Sequence, residues 1–233
     1  MRKIMIGLAL AGLVAGAALA QDSEVGEVVV TGSRISEYDA TQTPHVVLRK
    51  RADNLIVQVV VVCDTRDASQ RREELKATLR NLIRQAAKDP GVELGLGEEI
   101  VGAFDETMVD SIIGSATKVD TSQAILLVKT KVLPGDTLDS ATGRIEKFVA
   151  ATPKSGRTEI LVQGEWNLTL IHPEQYRSEV IALVAGDSLK SAAAFGDGYG
   201  VTAQGLQLPL SWYQSAPLEL ALYIPYRMEV RPK

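Results

Sequence analysis

Three observations in the 233-residue sequence predict an α+β fold in which amphipathic helices pack on a mixed or antiparallel β-sheet. Leu55-Ile56-Val57-Gln58-Val59-Val60-Val61-Val62-Cys63 is apolar at every position but Gln58, as a strand buried on both faces requires. The chain then changes to helical spacing, with Leu75, Leu79, Leu82, Ile83 and Ala86 on one face. The order strand, acidic turn, amphipathic helix, strand returns over residues 123–170, so the chain reads as two related strand–helix–strand units. The periods differ and the residues do not align, which makes this an echo of structure and not a repeat of sequence.

In chain order, the first element is an export leader. Arg2 and Lys3 precede an apolar core from Ile4 to Val14, and Ala18-Leu19-Ala20 supplies a small-residue cleavage site, so the mature chain is expected to begin at Gln21. The apolar core is shorter than the ~20 residues of a membrane span. Removing 20 of the 233 residues leaves 213, with 23 basic against 29 acidic side chains and a net charge of −6. That balance argues against nucleic acid as a partner, because phosphate binding needs a concentrated basic surface. Cys63 is the only cysteine, so no intramolecular disulfide is available in the oxidising compartment to which the leader points.

The predicted organisation is a leader at 1–20, a segment with one short strand at 21–53, and an α+β domain at 54–233. Glu27-Val28-Val29-Val30-Thr31-Gly32-Ser33-Arg34-Ile35 holds that short strand, a β-branched run stopped by Gly-Ser. These nine residues also resemble the leading segment of TonB-dependent outer-membrane receptors, which implies a partner contact through Val28, Val29, Val30 and Thr31. A chain of 233 residues has no room for the large barrel of those receptors. Pro44 favours extended backbone, and Val46-Val47-Leu48 reads as a further short strand.

Asp67 is placed to cap the first helix, with Gln70 at the third position of a capping box. Asp89-Pro90-Gly91 stops that helix, and Val92-Glu93-Leu94-Gly95-Leu96 reads as the return strand. Residues 123–132 form a strand whose second half alternates, and Pro134-Gly135-Asp136 ends it. Leu138, Ala141, Ile145, Phe148 and Val149 mark a second helix, and residues 157–170 a strand with an irregularity at Gly164. His172-Pro173-Glu174 opens a third helix with Tyr176, Val180, Ile181, Val184 and Leu189 on its buried face. Residues 201–210 and 218–230 are predicted as the closing strands, with Pro225 marking an edge or bulge.

This element order, from the Val28-Val29-Val30-Thr31-Gly32 strand to the helix ending Ala192-Ala193-Ala194-Phe195-Gly196, resembles the SIMPL-domain family of bacterial periplasmic and envelope proteins. The likeness spans most of residues 27–205 and rests on element order and short motifs. It implies a non-enzymatic envelope protein that forms oligomers.

Residues with catalytic chemistry do not converge in the sequence. His45 and His172 are 127 positions apart, no His-x-x-x-His pair exists, and no Gly-x-Ser-x-Gly elbow is present. No catalytic residue, cofactor or metal is therefore assigned. The glycine-rich residues 195–200 follow a helix, whereas a phosphate cradle precedes one. The acid pairs Glu98-Glu99 and Asp105-Glu106 offer acid/base groups for an alternative, enzymatic reading with His172. Trp212, Tyr213, Tyr223 and Tyr226 crowd the last 22 residues, where they suit core packing or a partner surface. The expectation is an exported protein, periplasmic or bound to the outer envelope, without a transmembrane segment in its mature chain, acting by binding or homo-oligomeric assembly. An accessory role with TonB through residues 27–35 is the other alternative.

Overall fold

The computed structural model describes residues 26–30, 46–98 and 100–233. The leader, residues 31–35, His45 and Glu99 lie outside the described residues. The first strands are β1 (Glu27–Val30), β2 (Leu48–Arg51) and β3 (Asn54–Cys63), followed by helix α1 (Ala68–Ala86). Then come β4 (Val92–Leu96), β5 (Ile100–Ala103), β6 (Ile113–Ser115) and β7 (Ser122–Lys131). Helix α2 (Leu138–Ala151), β8 (Thr158–Ile171) and helix α3 (Arg177–Ala193) precede β9 (Tyr199–Gln204), β10 (Ser211–Ala216), β11 (Glu219–Tyr223) and β12 (Arg227–Pro232).

The predicted layer of helices on a sheet is overturned by how these strands connect. The protein is mostly β, with 40% of the described residues in strands against 30% in helices. Six antiparallel strands run β3-β8-β1-β5-β4-β7 and return to β3, which closes them into a barrel. Closure depends on β1, which pairs Val28 with Leu170 on one side and with Ile100 on the other. Four β-branched or acidic residues far from their partners in sequence thus convert an open sheet into a ring, which removes its edges at that level.

Strand β3 sets the two surfaces of the barrel wall. Its odd positions face outward: Val57, Val59, Val61 and Cys63 pack with Leu75, Leu79 and Leu82 of α1 and with Ile145 and Phe148 of α2. Each such fully buried aliphatic contributes roughly 1.5–3 kcal/mol. Asp67 caps α1 by accepting from the Gln70 amide at 2.8 Å. The Gln70 side chain turns to Glu74 at 2.9 Å, so the predicted box is half formed. Even positions Asn54, Ile56 and Gln58 face the other way. Strand β8 carries two extra residues against β3, between Asn167 opposite Ile56 and Gln163 opposite Gln58. Gly164, at φ +85°, makes the turn at this bulge. An even insertion preserves parity, so Leu161 and Thr169 stay on one surface and Ile160 and Leu168 on the other.

A second apolar cluster joins Leu55, Leu168 and Leu170 to Trp212, Leu220 and Leu222 and to Val180 of α3. It is roofed by a three-stranded sheet in the order β10-β11-β2. Strands β9 and β12 form a separate ribbon. The predicted strand at 201–210 is shorter than expected, and the one at 218–230 divides at Pro225 into β11 and β12. Leu189, predicted on the buried face of α3, is 69% exposed. The buried stripe is Val180, Val184, Ser188 and Ala192, four residues apart, and Leu189 sits one position off it.

Candidate functional site

At the Asn54 end the barrel is filled by charge. Glu27 on β1 and Lys129 on β7 occupy opposite strands of the six-membered ring, and their ion pair crosses the lumen. Asn54 Nδ2 and Thr169 Oγ1 both donate to Glu27 Oε1, and Asn54 also donates to Thr169 Oγ1 at 3.2 Å. Lys129 reaches Glu93 Oε2 at 3.0 Å. Burial works against the charge on Lys129, yet its hydrogen bonds to Glu27 and Glu93 outweigh it and hold the pKa above the usual lysine value. A cavity of about 180 Å³ adjoins this network, lined in part by Ile56, Gln58, Leu127 and Asn167. The carboxylate has a full set of donors, so this arrangement locks the barrel.

The other end is open. A cleft of about 540 Å³ lies between Val62, Asp64, Lys118, Thr121 and residues 156–159. Arg157 grips Asp64 with two bonds of 2.7 and 3.1 Å, and Lys118 lies 3.8 Å from the same carboxylate. Behind the cleft, Glu74 accepts from Thr65 Oγ1 (2.6 Å), the Arg157 amide (3.1 Å), the buried Cys63 thiol (3.2 Å) and Gln70 (2.9 Å). The Thr65 bond first, then those from Arg157 and Cys63, pull its pKa down to about 2. Gly156, at φ +55°, makes room for this carboxylate; a Cβ there would lie 2.0 Å from Glu74 Cδ.

Beside this cleft runs an exposed part of the barrel wall. β8 pairs with β3 over residues 158–163 and 167–169, but β1 covers only residues 168–171 on its other side. Among the described residues, no strand pairs with the outer edge of residues 158–165. Leu161 and Val162 are 38% and 37% exposed there. Leu161 stands opposite Val60, and Val60 opposite Ile125, so an apolar row crosses the wall on the surface away from the helices. Leu161 and Ile125 are exposed at its two ends.

The residues singled out from the sequence fall elsewhere. Val28 is buried in the second cluster, Val29 lines the lumen cavity, and Val30 ends β1 opposite Leu168; Thr31 is outside the described residues. A partner reading this segment would have to draw a strand out of the barrel. Trp212 and Tyr223 are buried, and the rings of Tyr213 and Tyr223 lean together at 6.1 Å. Burial pushes the Tyr223 hydroxyl up, with the neighbouring Tyr213 adding to it. Tyr226 borders a cavity with Gly205, Leu208 and Pro225, its hydroxyl 3.5 Å from Asp187.

Asp105 caps a short helical turn through Thr107, Glu106 pairs with Arg80, and Glu98 lines the lumen cavity. His172 enters α3 with left-handed backbone at φ +47°. Asp105 and Glu106 thus make local contacts around one short turn, the first to its backbone and the second to Arg80 of α1.

Among the described residues no group of three or more His, Cys, Asp or Glu is placed to hold a metal ion, and no helix is long and apolar enough to cross a membrane. The sequence reading missed the Glu27–Lys129 crossing and the β8 edge. The signals were present as a lysine inside an apolar strand and a glycine irregularity at position 164. No protein-family model matches the chain, and no curated protein matches it.

Proposed function

We propose that this chain is an exported, non-enzymatic protein of the periplasm or outer envelope that works by binding or assembly, with the outer edge of β8 as its docking element. The edge at residues 158–165, which no strand among the described residues pairs, carries this reading. Backbone donors and acceptors along a strand edge are a template for another strand, and Leu161 and Val162 give such a strand apolar contact on both faces. Six consecutive residues, Thr158 to Gln163, combine β-propensity with a single charge and no proline, the composition that pairs most readily. The leader features at residues 1–20 support the compartment, and the resemblance to SIMPL-domain proteins points the same way. Beside the edge, Asp64 is paired with Arg157 and Lys118, so the cleft carries little unbalanced charge, which suits a surface that meets protein.

The test is native mass spectrometry of the protein purified from its own envelope fraction. The expected species begins at Gln21 and carries a bound polypeptide. An unprocessed cytoplasmic chain would overturn the compartment, and a bare monomer would overturn binding and assembly.

A further inference from the structure

Building on that reading, we infer that the strand occupying the β8 edge is β8 of a second copy, paired antiparallel about a two-fold axis through Leu161. The edge is self-complementary in this register. Leu161 meets its own symmetry mate, Ile160 meets Val162 of the second copy, and Glu159 meets Gln163. At each end Arg157, held by Asp64 within its own copy, comes beside Glu165 of the other copy, an opposite-charge approach that sets register more than affinity. The apolar row Ile125, Val60, Leu161 then continues into Leu161, Val60, Ile125 of the second copy, which covers the exposed leucine.

Neighbouring registers fail on specific grounds. Centring on Val162 sets Glu159 against Glu165, two like charges directly opposed. Centring on Ile160 places Glu159 against Leu161 and leaves the apolar row discontinuous. Centring between two residues puts odd positions opposite even ones, so the helix-covered surface of one copy would continue the bare surface of the other. Leu161 is the centre that joins like surfaces. The bulge at Gly164 then limits the ladder at each end, so the contact is short and its affinity belongs with weak, small interfaces.

Two measurements on the mature full chain decide this. Sedimentation equilibrium at up to ~100 µM, a range suited to a weak small interface, should show a monomer–dimer equilibrium. Leu161→Lys, which opposes two ammonium groups at the axis, should weaken it at least tenfold by the ~1.4 kcal/mol rule. Mild oxidation of Leu161→Cys should give a covalent dimer, because directly opposed residues lie ~4.5–5.5 Å apart at Cα, within disulfide reach. Val162→Cys should cross-link far more slowly, and a mixture of Glu159→Cys with Gln163→Cys should cross-link only across the mixed pair. The wild-type chain, with its one buried thiol, is the control.

A monomer at every concentration, with Leu161→Cys no faster than Val162→Cys, overturns the inference. If that monomer still leaves the envelope bound to a different protein and Leu161→Lys releases it, the docking edge stands and the second copy is wrong. If no partner is found by either route, both readings fall. Slow amide exchange across residues 158–163 in a pure monomer would give the edge to the chain's own residues and also overturn the inference.

Discussion

One strand, β3, runs through two unlike ends of the same barrel. Around Asn54 its neighbours close into a ring, and the lumen holds an ion pair whose carboxylate takes hydrogen bonds from two further side chains. Around Val60, β8 has an edge that no strand among the described residues covers, and Ile125 and Leu161 flank a buried valine in the open. The inner surface that holds polar groups at the closed end carries exposed apolar groups at the open end. The closed end spends buried charge on a fixed geometry, which is weak evidence for stability and better evidence for a specified arrangement. Among the described residues the open end has no such lock and leaves the outer backbone groups of residues 158–165 without a pairing strand. The comparison separates a region built to hold shape from one that, on the proposed reading, meets another chain.

The largest expected effect breaks the closed end. Lys129→Met leaves Glu27 buried without its cation, and a buried pair that loses one partner typically costs ~3–5 kcal/mol. Unfolding in urea should register a loss of that size at neutral pH. Combining it with Glu27→Gln should recover a large part, because the orphaned charge goes with it. A loss under ~1 kcal/mol, the range of exposed pairs, would mean that water reaches the lumen and that the two ends differ less than drawn.

A smaller effect is expected where the barrel wall meets the open cleft. Gly156→Ala forces a Cβ into the carboxylate of Glu74 and puts an L-residue at φ +55°. Displaced hydrogen bonds and left-handed backbone together should cost roughly 1–3 kcal/mol. Gly164→Ala makes a useful comparison. It shares the positive φ, but its nearest neighbours lie at 3.9 Å, so only the backbone penalty remains. Equal losses at the two positions would show that the Glu74 cradle contributes nothing of its own.

How much of this was readable in the sequence follows from the range of the interactions. The β3 strand, the Asp67 cap, the Gly164 irregularity and the Pro173 entry to α3 are local, and each shows within a few residues. Barrel closure is not local. Val28 must find Leu170 and Ile100, and Glu27 must cross to Lys129, 102 positions away. No period or cap encodes that, so a short leading strand reads as an appendage when it is the piece that closes the ring. The aromatic residues near the C-terminus drew attention by type, yet Trp212 and Tyr223 are buried. The β8 edge drew little, because strands on an edge and strands in a ring share one alternation. Composition reported which residues prefer strands and was silent about which strands keep a free side.

The gentlest probe is pH, and it sharpens the boundary between the two ends. The folded pKa of Glu74 is depressed to about 2 from an ordinary 4.5, by the Thr65 hydroxyl foremost and then the Arg157 amide and Cys63 thiol. A depressed carboxylate contributes stability that is complete above its unfolded pKa and is lost as pH falls through the folded one. Between about pH 4.5 and 2 the unfolded chain takes up the proton first, so the folded state loses its advantage across that window. Asp64 and Asp110, each lowered chiefly by side-chain bonds to Arg157 and Lys76 respectively, act in the same direction. Wild type should therefore melt at progressively lower temperature on acidification. Glu74→Gln should be less stable than wild type at pH 7 and nearly equal to it at pH 2. A gap that persists unchanged to pH 2 would place the cost in packing against Gly156, and the carboxylate would lose its part in shaping the open end.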